Sequence, residues 1–256
     1  MKIITLPAFN DNYIWLFHAE NSNQAYVVDP GDAAVVEQAL QQHNLVLAGI
    51  LVTHHHFDHT GGIEALCEDR NIPVYGGQAS EVTCLTHKFE EGQKLHLDQD
   101  LEFQIIDVPG HTMDHIAFYS AESKTLFCGD TLFVAGCGRL FEGSAAQMRH
   151  SLEKLAKLPT DTKIYCAHEY TQANLQFALA VEPDNLAIRK KIEHVNELRE
   201  QDCPSVPSTL ADELATNPFL RSDQPAVVEQ SYNREGNSNL NIDQVFASIR
   251  GWKDSF

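Results

Sequence analysis

The chain has 256 residues, which is enough for one large domain or for a large and a small one. Its hydrophobic fraction of 43% and its charged fraction of 21% are ordinary for a globular protein. Its formal net charge of −18, from 18 basic and 36 acidic residues, disfavours nucleic acid and anionic membrane surfaces as partners, because both require a basic binding face.

The composition also predicts a cytoplasmic location. Six cysteines are scattered without a C-x-x-C pair, which is typical of reduced thiols in a cytosolic protein. Asn10, Asp11 and Asn12 interrupt the opening apolar stretch before a signal sequence could form. No apolar run approaches the length of a membrane span.

The first 43 residues predict three short strands and a helix. The strands are expected at Lys2–Leu6, Tyr13–His18 and Gln24–Val28, and the helix at Asp32–His43. Asp29 follows the third strand, and two interpretations fit it equally. It could cap the helix, or it could support metal-bound histidines from a strand end.

A histidine-rich stretch follows the next strand. The apolar run Leu47–Val52 has the length and composition of a buried strand, and Thr53-His54-His55-His56-Phe57-Asp58-His59 comes directly after it. In an extended chain His54 and His56 project to the same side, so His55 points away and is interpreted as non-ligating. Imidazole and carboxylate together suit zinc, iron or manganese. The alternative is a polar loop that happens to be rich in histidine.

Three later strands also end in residues that can bind metals. The strand at Gln104–Val108 precedes His111, the strand at Thr125–Cys128 precedes Asp130, and the run Lys163–Ala167 precedes His168. Layered α/β folds place their chemistry at such strand ends. The candidate ligands are therefore seven: His54, His56, Asp58, His59, His111, Asp130 and His168. Seven are too many for one tetrahedral ion but suit two ions that share a bridging carboxylate.

The remaining elements predict a layered domain followed by a helical one. A helix is expected at Ile63–Arg70 and a strand at Ile72–Tyr75, which Gly76 and Gly77 break. Strands mixed with helices indicate two sheets covered by helices on both outer faces. After His168 the pattern is helical, so we place a domain boundary near Tyr170. One helix is expected before this boundary, at Ser144–Leu158, and those after it are expected at Gln172–Val181, Asp184–Gln201, Thr209–Ala215 and Ile242–Trp252.

The seven candidate ligands resemble the metal-binding pattern of the metallo-β-lactamase superfamily. Within it, the chain resembles the glyoxalase II family from Asn10-Asp11-Asn12-Tyr13 to Arg250-x-x-Lys253-Asp254. The resemblance implies an αββα sandwich over residues 1–169 and a helical glutathione-binding domain over residues 170–256. It also implies an enzyme that hydrolyses S-D-lactoylglutathione to D-lactate and glutathione, the second step of methylglyoxal detoxification.

The resemblance further implies how the ligands are divided. One ion would take His54, His56 and His111, the other would take Asp58, His59 and His168, and Asp130 would bridge them. Asp58 and Asp130 are the implied catalytic residues. Zinc is the expected metal, with iron or manganese as alternatives. Two such ions hold a shared water as hydroxide near neutral pH, so no serine or cysteine nucleophile is needed.

Substrate contacts are implied at Arg139, Phe141, Tyr170, Arg250 and Lys253. The family often has lysine and tyrosine where this chain has Arg139 and Phe141. Arginine keeps the positive charge of lysine. Phenylalanine lacks the tyrosine hydroxyl, so one hydrogen bond to glutathione would be missing here. Arg250 and Lys253 are three residues apart and share a helix face. An ordinary solvated basic face is the alternative for that pair.

Two other functions compete with hydrolysis. A persulfide dioxygenase of the same superfamily would need one iron and would lack this C-terminal domain. A metal-stabilised interaction protein without activity would be expected to have lost ligands. The expected partner is a small glutathione thioester, with no nucleic acid or membrane, and the expected state is a monomer.

Overall fold

The computed structural model describes residues 1–97 and 101–256. Within this part of the chain, residues form two compact units. The first unit comprises Met1–Val108 and Thr112–Gly129, and the second comprises Pro109–His111 and Asp130–Phe256. No helix in the described ranges is both long and apolar enough to cross a bilayer.

The first unit contains ten strands and three helices among its described residues. In chain order they are β1 Lys2–Ala8, β2 Asn12–His18, β3 Gln24–Val28, α1 Ala33–His43, β4 Val46–Leu51, α2 Phe57–Thr60, α3 Ile63–Cys67, β5 Val74–Gly77, β6 His87–Phe89, β7 Lys94–His96, β8 Glu102–Asp107, β9 Ile116–Ser120 and β10 Thr125–Gly129.

These strands form two sheets that pack face to face. One has the order β1 to β6, antiparallel through β3 and parallel from β3 onward. In the other, β10, β9, β8 and β7 are neighbours and antiparallel. The Phe17 ring of β2 lies 5.4 Å from the rings of Phe103 in β8 and Phe127 in β10. Ile14 and Leu16 of β2 belong instead to the core shared with helices α1 and α3. The period-2 alternation of β2 thus buries both of its faces.

Two local predictions in this unit are wrong. Gly76 and Gly77 do not break β5 but lie within it, where they pair with Lys88 and Phe89 of β6. A side chain at Gly76 would meet Leu85, so the missing Cβ admits a close neighbour. The helix expected at Ile63–Arg70 ends at Cys67.

The second unit is mainly helical. Its elements are β11 Leu132–Phe133, β12 Gly136–Cys137, α4 Ala145–Ala156, β13 Lys163–Cys166, α5 Thr171–Val181, α6 Leu186–Arg199, β14 Ser208–Thr209, α7 Leu210–Thr216, a 3₁₀ turn Pro218–Leu220, α8 Pro225–Glu235 and α9 Ile242–Asp254.

Local capping signals set the helix boundaries in this unit. Ser144 and Gln147 form a capping box before α4, and Asn241 and Gln244 form one before α9. Helix α8 was not predicted, although it starts at Pro225 and its cap residue Gly236 adopts a left-handed φ of 63°.

Candidate metal centre

The first unit brings four predicted ligands together just beyond β4. The chain passes through His54 and His56, and α2 then begins at Phe57 and places Asp58 and His59 in its single turn. The His54 ring centroid lies 4.8 Å from that of His56 and 4.1 Å from that of His59. The Asp58 Oδ2 atom lies 3.5 Å from His59 Nε2. Imidazole and carboxylate donors therefore converge within one loop.

A hydrogen-bond chain fixes which ring nitrogens face the cluster. Asp29 Oδ2 accepts from the Thr53 hydroxyl at 2.7 Å and pairs with His59 Nδ1 at 3.0 Å. Because the Thr53 hydroxyl has one proton, which it gives to Asp29, it accepts from His54 Nδ1 at 3.0 Å. Both histidines thus carry the proton on Nδ1 and the lone pair on Nε2, the form that binds metal ions.

Asp29 supports these histidines and does not cap α1. The cap is Asp32, whose side chain accepts from the Ala34 N–H at 2.9 Å. Asp29 is buried, and its Oδ1 also accepts from the Thr53 N–H at 2.8 Å. The capping interpretation of Asp29 is therefore wrong. Thr53, the link between Asp29 and His54, was not among the predicted site residues.

His55 points into a separate polar network. Its Nδ1 lies 2.9 Å from Asp114 Oδ1, which also accepts from the Thr112 hydroxyl at 2.7 Å. Burial opposes ionisation of Asp114, yet hydrogen bonds from His55, Thr112 and Ser80 hold its pKa below the ordinary value. His115 stacks on His54 with ring centroids 4.5 Å apart. Asp114 and His115 thus contact the loop through its residues His55 and His54.

The second unit brings the other three predicted ligands together. Asp130 Oδ2 lies 3.4 Å from Nε2 of His111 and 3.4 Å from Nε2 of His168. His111 Nδ1 donates to the Arg139 carbonyl at 2.8 Å, because a carbonyl oxygen can only accept. The lone pair of His111 is therefore on Nε2, next to the carboxylate. Asp130 is buried, as are both histidines.

The donor sets of both units fit metal ions. In each unit an imidazole Nε2 lies beside a carboxylate oxygen, while Nδ1 of the same ring is fixed by an oxygen acceptor. Such outer hydrogen bonds orient metal-binding histidines in general. Buried anionic and neutral donors at this density are stabilised by a cation.

Three predicted substrate residues surround the second unit's ligands. The Phe141 ring lies 5.2 Å from the His111 ring, and its N–H donates to the His111 carbonyl. Tyr170 stacks on His168 at 4.8 Å with an interplanar angle of 3°. Arg139 contributes its carbonyl to His111, while its side chain is 64% exposed. Phe141 and Tyr170 are also exposed, so all three present surface for a ligand.

Arg250 and Lys253 differ in burial, and the solvated-face alternative is wrong for Arg250. Its guanidinium is buried, donates to the Cys137 carbonyl at 3.0 Å and lies over the Phe219 ring. Lys253 Nζ donates to the Ala173 carbonyl at 3.3 Å. Partial burial and the charge of Arg250 lower the pKa of Lys253.

A buried carboxylate holds the turn between β11 and β12. Glu213 is fully buried; its Oε2 accepts from the Ala135 N–H at 2.7 Å, and its Oε1 accepts from Lys191 Nζ at 2.7 Å. Ala135 has a left-handed φ of 55°. Asn217 donates to the carbonyls of Phe133 and Gly136 at the two ends of the turn. The Phe133 ring lies 5.9 Å from His168. Nothing in the sequence around Glu213 indicated this role.

Two family models match the chain, and together they cover residues 9–256. A family model described as the metallo-beta-lactamase superfamily matches residues 9–168, and one described as hydroxyacylglutathione hydrolase C-terminus matches residues 169–256. A hydroxyacylglutathione hydrolase of Pseudomonas aeruginosa (strain LESB58) is 51% identical over 258 residues, covering 100% of both chains. The chain belongs to the hydroxyacylglutathione hydrolase family. The predicted resemblance is thereby confirmed.

Solved structures share the fold of this member of the hydroxyacylglutathione hydrolase family. The structure of ETHE1 from Myxococcus xanthus matches with a TM-score of 0.66 and 25% identity, covering 100% of this chain and 99% of that one. TTHA1623 in a di-iron-bound form matches with a TM-score of 0.60 and 25% identity, covering 86% and 100%. The predicted fold class, a metallo-β-lactamase-type sandwich with a C-terminal helical part, is confirmed. The domain division at residues 169 and 170 stays a prediction.

Proposed function

We propose that the chain hydrolyses S-D-lactoylglutathione and related 2-hydroxyacyl thioesters of glutathione. The observation that carries the proposal is full-length identity of about half to proteins named hydroxyacylglutathione hydrolase, together with the match of residues 169–256 to that family's C-terminus. The same C-terminal match disfavours the dioxygenase alternative, for which this domain was not expected. The reaction adds water across the thioester, breaks the C–S bond and releases D-lactate and the thiol of glutathione.

Two metal ions would be held by the seven predicted side chains, with Asp130 shared. The fit of the donor sets supports this, and the di-iron-bound form of TTHA1623 is a structural relative with two irons. Zinc is the proposed metal. When bound, the ions supply Lewis acidity and lower the pKa of water enough for it to attack the thioester near neutral pH.

The side chains themselves orient the reacting groups. Asn12 Nδ2 donates to Asp58 Oδ2 at 3.0 Å, so the Asp58 carboxylate has a fixed orientation toward the cluster. Arg139, Phe141, Tyr170, Arg250 and Lys253 are the proposed contacts to glutathione. A thiol ionises near pH 8–9, so the leaving group needs little help from a general acid.

The proposal is tested by metal analysis and a thioester assay on the same purified protein. We expect close to two transition-metal ions per chain and loss of free thioester accompanied by release of thiol. Oxygen uptake with glutathione persulfide, without thioester hydrolysis, would favour the dioxygenase instead.

Lys253 offers the cleaner test of carboxylate recognition, because Arg250 also supports the Cys137 backbone. We expect Lys253→Ala to raise KM more than it lowers kcat, since the residue binds a remote part of the substrate. The pKa of Lys253 is lowered, so this side chain loses its charge at a lower pH than an ordinary lysine does. We therefore also expect KM of the unmodified enzyme to rise at a pH below the ordinary pKa of lysine. Lys190→Ala, on the exposed surface of α6, is the control and should leave both constants unchanged. An unchanged KM in Lys253→Ala would remove this residue from the substrate site.

A substitution of Phe141 tests the effect of the tyrosine that the family often has at this position. Phe141 is 61% exposed, so Phe141→Tyr adds a hydroxyl without disturbing the core. One neutral hydrogen bond is worth about 0.5–1.5 kcal/mol, so we expect a several-fold lower KM at most and an unchanged metal content. A large loss of activity or metal would show that this loop does not face the substrate.

A further inference from the structure

The Asp254 carboxylate lies among the proposed substrate-binding cations. Asp254 Oδ1 is 3.0 Å from Arg250 Nη2 and 3.7 Å from Arg139 Nε. Arg139 comes from the segment after β12, and Arg250 and Asp254 come from the last two turns of α9. One carboxylate oxygen therefore joins two guanidinium groups that the chain brings together from positions more than a hundred residues apart.

Asp254 reduces the net positive charge of this cluster. Arg139, Arg250 and Lys253 contribute three positive charges, and Asp254 removes one, which leaves two. A glutathione thioester carries two carboxylates, which bind to such cations, and one ammonium group. A substrate carboxylate that reaches Arg139 and Arg250 meets an acceptor already in contact with both. The Asp254 side chain is 41% exposed, so it borders solvent where the substrate would approach.

We propose that Asp254 is an internal competitor for the substrate's carboxylate and sets the affinity of the site for glutathione groups. This rests on the proposed function. The carboxylate holds Arg139 beside Arg250 and repels an incoming anion. Substrate and product carry the same two carboxylates, so Asp254 weakens binding of both equally. Uniform binding of this kind affects KM and product inhibition rather than kcat.

The test is Asp254→Asn, which removes the charge but leaves an oxygen that accepts from Arg250. We expect KM for the glutathione thioester to fall about three- to tenfold at low ionic strength, the effect of one unit charge at short range in a largely solvated site. The inhibition constant of free glutathione should fall in parallel. Both gains should shrink as salt is added.

A matched control lies on the same helix. Asp243 accepts from Arg149 Nε and is 44% exposed, so Asp243→Asn removes the same charge from a similar pair near the other end of α9. We expect its KM to stay within about twofold of the parent, because a partly exposed charge at that distance is screened. A thioester whose two glutathione carboxylates are esterified should show no gain with Asp254→Asn.

The outcomes separate the inference from the proposed function. If the parent enzyme hydrolyses the thioester and Asp254→Asn leaves KM unchanged or raises it, the competitor role is wrong and Asp254 only positions the cations. If the parent does not hydrolyse the thioester, calorimetric titration with reduced glutathione still tests the inference. Tighter binding by Asp254→Asn than by the parent would support it, and equal or weaker binding would overturn it.

Discussion

Asp130→Ala is expected to lower hydrolytic activity at least a hundredfold and to reduce bound metal to one ion per chain or fewer. The Asp130 Oδ2 atom lies 3.4 Å from Nε2 of both His111 and His168, so one side chain serves two imidazoles. Loss of an outer partner of a metal ligand already costs about 10- to 100-fold in metal affinity or activity, and loss of a shared ligand should cost more.

Metal content and folding are measured on the same sample of this variant. Elemental analysis gives the metal content, and circular dichroism shows whether the fold survives. Asp223→Ala is the control, because Asp223 is exposed in the same unit and should keep both the activity and the metal. One tightly held ion with full activity in Asp130→Ala would refute a shared carboxylate.

Glu213→Ala is expected to destabilise the protein by about 3–5 kcal/mol, the usual cost of breaking a buried ion pair. The substitution leaves Lys191 without its carboxylate at a side chain that is only 13% exposed, and it leaves the buried Ala135 N–H without its acceptor. For a chain of this size the melting temperature should fall by roughly 10 °C.

Urea unfolding monitored by circular dichroism measures this loss. Glu193→Ala, an exposed glutamate on α6, is the control and should change stability by about 0.5 kcal/mol or less. Glu213→Gln keeps an acceptor for Ala135 and should be less destabilised than Glu213→Ala. A loss below about 1 kcal/mol in Glu213→Ala would mean that Lys191 finds another partner and that the turn does not depend on the carboxylate.

The burial of Arg250 could not be predicted from its position on the helix. The spacing of Arg250 and Lys253 placed them on one face of the last helix, and α9 does contain both. It could not show that the Arg250 guanidinium is buried against the Cys137 carbonyl, 113 positions earlier in the chain. Its role toward glutathione stays a prediction, and its role in holding the backbone at Cys137 is an addition from the structure.

Features that depend on neighbouring residues could be predicted from the amino-acid sequence alone. The predicted strand Gln24–Val28 coincides with β3, and the predicted starts of α4 and α9 lie within one residue of those in the structure. The candidate ligands were predicted from histidine and aspartate residues that follow the ends of strands, because such side chains are uncommon at the end of a buried strand.

Contacts between residues far apart in the chain could not be predicted in this way and depend on the packing of the folded protein. Asp29 contacts Thr53 and His59, which lie 24 and 30 positions later in the chain. Glu213 contacts Ala135, 78 positions earlier. Asp254 contacts Arg139, which lies more than a hundred positions earlier. Periodicity and capping act over a few residues, whereas the partner of a buried carboxylate is chosen by how sheets and helices pack. The sequence therefore predicts the metal-binding groups, and the packing determines which side chains orient them.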